Sequence, residues 1–325
     1  MLDLMITSRQ EPPTEVRQLA EQRAAARRER DFGTADRLKG QIEQAGWKVV
    51  DAGAQYRLEP AHPPNVEIDG VVRYGSSAGA PSRLHEPEQG PLTVVSVEAI
   101  PPDTSGPAQW IAVLDEQPAE LTLGYERLLT HGRLGLAAAW NIGLRRAVGS
   151  VVVLLAPGVT VDPRALADLA PALDDVSVGV VGLAGLTSVD LRRWRPAKAG
   201  DVEALDAELL CFHRRDAVRR GPLDERFATP RLLAVWWSLV LRDEGQDRPS
   251  RRALALDLEL DRRGEGADGQ ARGERREAYD SKEAEDRQAR RDLYRLIDRF
   301  GRRLDLLREP LRPTAASAKA RRQPR

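Results

Sequence analysis

The sequence predicts a mixed α/β protein: a central sheet domain flanked by helices, preceded by a helical hairpin and followed by a charged helix. Three observations predict it. Short apolar runs alternate with helical segments between residues 92 and 258, residues 14–58 carry apolar side chains at helical spacing, and the chain beyond 258 is charged with a narrow apolar stripe. At roughly 150 residues per domain, 325 residues suggest about two domains. The 50 basic and 50 acidic side chains cancel, which excludes a nucleic-acid binder of the strongly basic kind. A single cysteine, Cys211, excludes a disulfide framework and any multi-cysteine metal site. No run approaches the ~18 apolar residues of a membrane span, and MLDLMITSRQEPP lacks a secretory pattern, so a cytoplasmic protein is expected.

Residues 1–13 are predicted to be disordered. In residues 14–58, Val16, Leu19, Arg23 and Ala26 share one helical face. Asp31 to Ala35 reads as a turn into a second helix with Ala35, Leu38 and Ile42 inward, and Gly46 is placed to cap it. Trp47 to Val50 reads as a short strand or packing tail. Alone, the hairpin is too small to bury much, so docking on the larger domain is expected. Residues 59–91, rich in Pro, Gly and Ser, read as a linker.

The run LAEQRAAARRERDFGTADRLKGQIEQAGWKVVDAG resembles the C-terminal helical segment of bacterial cysteinyl-tRNA synthetases, through Arg23, Ala26, Arg27, Asp31, Phe32, Ala35, Asp36, Leu38, Gly46, Val49 and Asp51. In that family the segment belongs to the tRNA-binding end, so the resemblance implies RNA contact through Arg23, Arg27, Arg28, Arg30, Arg37 and Lys39. Against it, residues 1–60 carry ten basic and ten acidic side chains, little electrostatic attraction for a polyanion. No synthetase active-site motif is present, and cysteinyl-tRNA synthesis is excluded.

In residues 92–258, Leu92 to Glu98, Trp110 to Asp115, Tyr125 to Thr130, Val151 to Leu155 and Val176 to Leu183 read as strands. Gly135 to Val148 reads as a helix, and Asp162-Pro163 as a helix start. The alternation argues for a parallel-type sheet, whose ligands bind at the carboxyl ends of the strands.

The order of these segments is similar to inverting glycosyltransferases of family 2, with the GT-A fold. The resemblance is carried by GLAAAWNIGLRRAVGSVVVLLAPGVTVDPRALADL, VGVVGLAG, LLCFHRRDAVRRGPLDERF and WSLVLRDEG. It implies a nucleotide-sugar donor, and a divalent cation held by an Asp-x-Asp pair that neutralises the leaving diphosphate. The pair's positions hold Ala156 and Gly158 here. The resemblance also implies a general base about ten residues before the Gly matched by Gly245. That place holds Leu233 to Trp236, with Ala234 in the slot, and no acid lies between Phe227 and Asp243.

Asp115 matches an acid that contacts the nucleotide in that family, and Arg133 lies near a polar donor-site position. Asp224 and Glu225, in the Gly221–Phe227 turn, are the nearby candidates for a base. The four histidines lack metal-ligand spacing, so no metal and no cofactor are expected. Cys211 reads as a buried strand thiol.

In the charged arm, residues 259–325, the stretch from Asp261 to Arg325 holds 19 basic and 13 acidic side chains. Glu274 to Arg308 is helical in pattern, with Tyr279, Leu293, Leu296, Ile297, Phe300, Leu304 and Leu307 on the stripe. It can pack on the central domain, pair with a second copy, or touch RNA or an anionic membrane. The tail after Pro310 is predicted to be disordered.

The functional reading is a glycosyltransferase-like protein without the usual catalysis, a binding or scaffold protein. The alternatives are a metal-independent transferase that uses an arginine such as Arg133 or Arg214 to neutralise the diphosphate, and an RNA-associated protein.

Overall fold

The computed structural model describes residues 11–52, 55–101, 104, 106, 108–118, 124–161, 166–257, 261–262 and 275–308. Of the disorder predicted for residues 1–13, the part over 1–10 lies outside these residues, as do the predicted tail after Pro310 and the helix start at Asp162. The chain divides into two compact units, residues 1–79 and 80–325.

In the first unit, α1 (Thr14–Arg28) and α2 (Phe32–Gln44) are joined by a tight turn. Arg30 takes a left-handed backbone, φ 62°, and the amides of Arg30 and Asp31 return to the carbonyls of Arg27 and Ala26, closing the end of α1. Asp31 then caps α2 by accepting the Thr34 amide at 3.0 Å. Gly46, with φ 80°, ends α2 as its sequence position predicts. The chain continues as an antiparallel hairpin of β1 (Trp47–Ala52) and β2 (Gln55–Pro60).

The unit has its own small core: Val16, Ala20, Ile42 and Trp47, with Leu19, Val49, Tyr56 and Leu58 packed against it. The predicted tail is therefore a hairpin that closes on the helices and gives them the partner they lack by themselves. Inside the predicted linker, β3 (Val66–Ile68) and β4 (Val71–Tyr74) pair through a two-residue turn. Asp69 and Gly70 both take positive φ, the twist that suits such a hairpin.

In the second unit, β5 (Leu92–Val97), β6 (Ala108–Leu114), β7 (Glu126–Thr130), α3 (Leu136–Arg146) and β8 (Val151–Leu155) follow the predicted order. After β9 (Val159–Thr160) and α4 (Leu166–Leu169) come β10 (Val178–Gly182), β11 (Gly185–Thr187), β12 (Arg195–Ala197), β13 (Gly200–Val202) and β14 (Ala204–Leu205). The chain ends with β15 (Leu209–His213), α5 (Arg214–Arg220), α6 (Pro230–Arg242), β16 (Arg252–Ala255), β17 (Asp261–Arg262) and α7 (Arg275–Phe300).

Within this unit the sheet runs β13-β16-β10-β15-β8-β5-β6-β7. β8, β5, β6 and β7 are parallel to one another, as are β10 and β16, whereas β15 is antiparallel to β8 and β10, and β13 to β16. The sheet is thus mixed, and the predicted parallel type holds for its larger part. A small antiparallel sheet of β12, β11 and β14 lies beside it in sequence order.

β5 and β8 are buried along their whole length, as expected for strands covered on both faces. α3 lies so close to β5 that a Cβ on Gly143 would meet the Val95 side chain at 2.2 Å. α6 is buried from Leu233 to Arg242, and each large apolar side chain placed there contributes about 1.5–3 kcal/mol.

The last part of α7 docks on α6 through Leu296 and Phe300, with Arg299 over the Trp236 ring at 5.9 Å. The fully buried Asp292 accepts the Ala228 and Thr229 amides at 3.0 and 2.8 Å, supplying the cap that Thr229 itself does not make. Of the expectations for the arm, packing on the central domain is the one this contact realises. Among the described residues, no helix is long and apolar enough to cross a membrane.

Candidate functional site

The parallel strands bring their carboxyl ends to one edge, and Asp115 and Arg133 follow two of those strands. β5 ends at Val97 and turns sharply at Glu98, which has a left-handed backbone, φ 53°, and an amide bonded to Val113 O at 2.9 Å. Asp115 follows the end of β6. Arg133 follows β7, and its guanidinium lies 3.7 Å from the Glu98 carboxylate. Its side chain is 79% exposed, so this pair is weakly held and leaves the cation open to a ligand.

β8 completes the edge with Ala156-Pro157-Gly158. The Ala156 amide bonds to Glu208 O at 3.1 Å and the Gly158 amide to Val97 O at 3.2 Å, which folds this loop over the end of β5. Gly158 takes φ 73°, a left-handed turn that favours glycine.

The two positions that the resemblance gives to metal-binding acids carry no acid here. Ala156 and Gly158 offer no donor side chain, and among the described residues no group of three or more His, Cys, Asp and Glu is placed to hold a metal ion. Glu98 and Glu208 escaped the sequence reading. The signal for Glu98 was available, since it is the first polar residue after an apolar strand.

Asp224 and Glu225 lie in the turn after α5, bonded to a neighbouring arginine and to α3 respectively. Asn141, buried in α3, accepts the Leu223 amide and donates to Leu223 O and to Glu225 Oε1, each at 2.9 Å. Asp224 is chelated by Arg226 at 2.9 and 2.7 Å, and this hydrogen bonding holds its carboxyl below the usual carboxylate range. Glu225 fastens the turn to α3, and Asp224 closes on Arg226 within the turn. A carboxylate held ionised in this way is also a poor base.

The predicted base slot is apolar in fact: Ala234 is fully buried, and Trp236 stacks on Trp237 with ring centroids 5.8 Å apart and meets Phe227 at 5.7 Å. Burial likewise pushes the Cys211 thiol far up, so it stays protonated.

Two arginines are corrected by the structure. Arg214, offered above as a diphosphate partner, is buried at the opposite, amino-terminal edge. Its Nε donates to Ala147 O at 2.9 Å and its Nη2 to Arg83 O and Glu86 O at 2.7 and 3.1 Å. It cannot reach a ligand at the carboxyl edge.

Arg23, offered for RNA, is buried and grips Asp51 in a two-point ion pair at 3.0 and 3.1 Å, joined on that carboxylate by Arg27. Strand alternation explains this, because Trp47, Val49 and Asp51 share the β1 face that meets the helices. Of the remaining RNA candidates, Arg28, Arg30, Arg37 and Lys39 are exposed, and Lys39 lies 3.8 Å from Glu43.

No family model matches the chain. A cysteine–tRNA ligase of Opitutus terrae is 47% identical over 60 residues, which is 18% of this chain and 13% of that protein. Among solved structures, GalNAc-T7 with UDP, GalNAc and Mn²⁺ is similar over 52% of this chain and 43% of its own, with TM-score 0.41 and 16% identity. The Pyrobaculum calidifontis mannosyltransferase PcManGT with GDP-Man and Mn²⁺ is similar over 55% of this chain and 56% of its own, with TM-score 0.36 and 19% identity. Residues 1–349 of S. aureus TarS are similar over 52% of this chain and 58% of their own, with TM-score 0.36 and 13% identity. The chain thus spans about half the length of these structures and a small part of the ligase, and each is a partial likeness.

Proposed function

We propose that the second unit is a glycosyltransferase-like domain that binds a nucleotide or nucleotide sugar without a metal ion at the carboxyl edge of β8, β5, β6 and β7, and that it serves as a binding or scaffold protein rather than a transferase. The observation that carries the reading is the Ala156-Pro157-Gly158 turn. It stands where the resemblance places metal-binding acids, offers no carboxylate, and adjoins Glu98, with Asp115 and Arg133 on the neighbouring strand ends. Asp115 is assigned to the ribose or base and Arg133 to a phosphate. The apolar α6, with Ala234 and Trp236 in the base slot, supports the absence of transfer.

The test is a thermal-shift titration with UDP, GDP and their sugars, with and without Mn²⁺. Saturable stabilisation that does not depend on metal is expected, together with no release of nucleotide diphosphate over hours. Turnover of a nucleotide sugar would overturn the inactive reading and favour a metal-independent transferase using Arg133. Absence of stabilisation by any nucleotide would overturn the binding assignment. The Ala156→Asp/Gly158→Asp variant sharpens the reading, since Mn²⁺-dependent nucleotide binding should appear in it. Asp tolerates the left-handed turn at a cost of about 1 kcal/mol.

The RNA-associated alternative rests on the 60-residue likeness and on Arg27, Arg28, Arg30, Arg37 and Lys39. Salt-sensitive binding of tRNA that is lost on replacing Arg27 and Arg28 is the result that would favour it.

A further inference from the structure

A second cleft lies apart from the strand-end residues. The segment between β11 and β12, the first turn of α6 and α7 enclose an open cavity of about 420 Å³, lined by Arg192, Trp194, Arg231, Leu232, Arg290 and Leu293, with Asp286 on its wall. Its size falls in the range of small-molecule sites.

The walls are prearranged. Asp190 accepts the amides of Arg192 and Arg193 at 2.9 Å each, and the Trp194 indole N–H donates to Leu191 O at 3.2 Å, which fixes the segment carrying Arg192 and Trp194. Arg231 is oriented by Asp206 at 2.9 and 2.8 Å. Arg192 and Arg290 are exposed, and among the described residues neither side chain has an ion pair or hydrogen bond. Three guanidiniums therefore stand against two carboxylates, Asp206 and Asp286, and one of those is already engaged.

We propose that this cleft binds a phosphorylated ring compound, its phosphate held by Arg192 and Arg290 with Arg231 in support, and its ring placed against Trp194, Leu232 and Leu293. Guanidiniums match phosphate oxygens in two-point hydrogen bonds, and an indole offers a flat apolar face for a ring. A sugar phosphate and a nucleoside monophosphate share this chemistry. The inference does not depend on the strand-end site or on the absence of transferase activity.

The experiment is isothermal titration of the full chain with glucose 1-phosphate, UMP and inorganic phosphate, with glucose and uridine as uncharged controls. Saturable binding of at least one phosphorylated ring compound is expected, about tenfold or more tighter than inorganic phosphate. The tighter of the two identifies the source. Arg192→Glu/Arg290→Glu should weaken it by about tenfold or more, Trp194→Leu should bring it towards the affinity of inorganic phosphate, and Arg215→Glu, exposed on α5 and outside the lining, should leave it unchanged. Arg192 and Arg290 are exposed, so the double variant should melt as the parent does, and a melting curve checks this.

Asp115→Asn separates the two sites. Binding that survives Asp115→Asn and falls in the double variant supports the cleft. Binding that falls in Asp115→Asn but is unchanged in the double variant overturns it, as does the absence of saturation by either phosphorylated ring compound.

Discussion

Arg214 and Arg133 stand at opposite ends of the same set of parallel strands, and the difference between them separates scaffold from site. At the amino edge, Arg214 is buried and its donors satisfy the carbonyls of Ala147, Arg83 and Glu86. Around it, Thr93 and Gln109 take up the Val148 and Gly149 amides, so the polar groups of this edge are paired with one another. At the carboxyl edge, Arg133 is open to solvent beside Glu98, and the Gly158 turn closes on β5 through its amide bond to Val97 O. The same guanidinium is structural where chain surrounds it and available where strands end. Ligands are accordingly sought at one edge of the sheet only.

The comparison breaks most visibly at Arg214. Arg214→Ala leaves buried carbonyls without donors and should cost about 3 kcal/mol, read as a shift of the urea midpoint; an unchanged midpoint would remove the clamp from the account. Gly149→Ala at the same edge comes next, at about 1–3 kcal/mol. An added Cβ there would lie 2.4 Å from the Leu92 backbone, which cannot swing aside.

In the first unit, Asp51→Asn should cost about 1–2 kcal/mol at neutral pH by leaving the buried Arg23 without its partner, the solvent-screened Arg27 contact adding less. The Arg23 hydrogen bond lowers the Asp51 pKa in the folded state. The unfolded chain therefore binds the proton more readily, and the contribution is complete above the ordinary carboxylate value of about 3.9 and is lost as pH falls through the folded one. Parent and variant melting temperatures should converge in acid, and a gap independent of pH would contradict this ion pair.

The smallest stability change is expected at the carboxyl edge. Arg133→Ala should hardly alter melting, while lowering nucleotide affinity about tenfold if the strand-end assignment holds.

Where the cue is local, the residues carry the structure legibly. Asp31 and Gly46 cap α2 as their types predict, and the apolar runs at 92–97 and 151–155 become fully buried strands. Even the missed β3–β4 hairpin was written locally, in Asp69-Gly70 between apolar residues, and was obscured by the surrounding prolines and glycines. The candidate site was legible as a place more than as a set. Asp115 and Arg133 lie at the expected strand ends, whereas Glu208 comes into view only with the backbone bond from Ala156.

Periodicity and capping by themselves determined α1 and α2 and the run from β5 to β8 with α3, in order, because each depends on side chains a few residues apart. Only the tertiary structure decided that β15 enters the sheet antiparallel, that Asp292 caps α6 from a distant helix, and that Arg23 and Arg214 are buried. The physical reason is range. A guanidinium is exposed or buried according to which acceptors the chain folds around it, and for Arg214 one of them, the carbonyl of Arg83, lies 131 residues away.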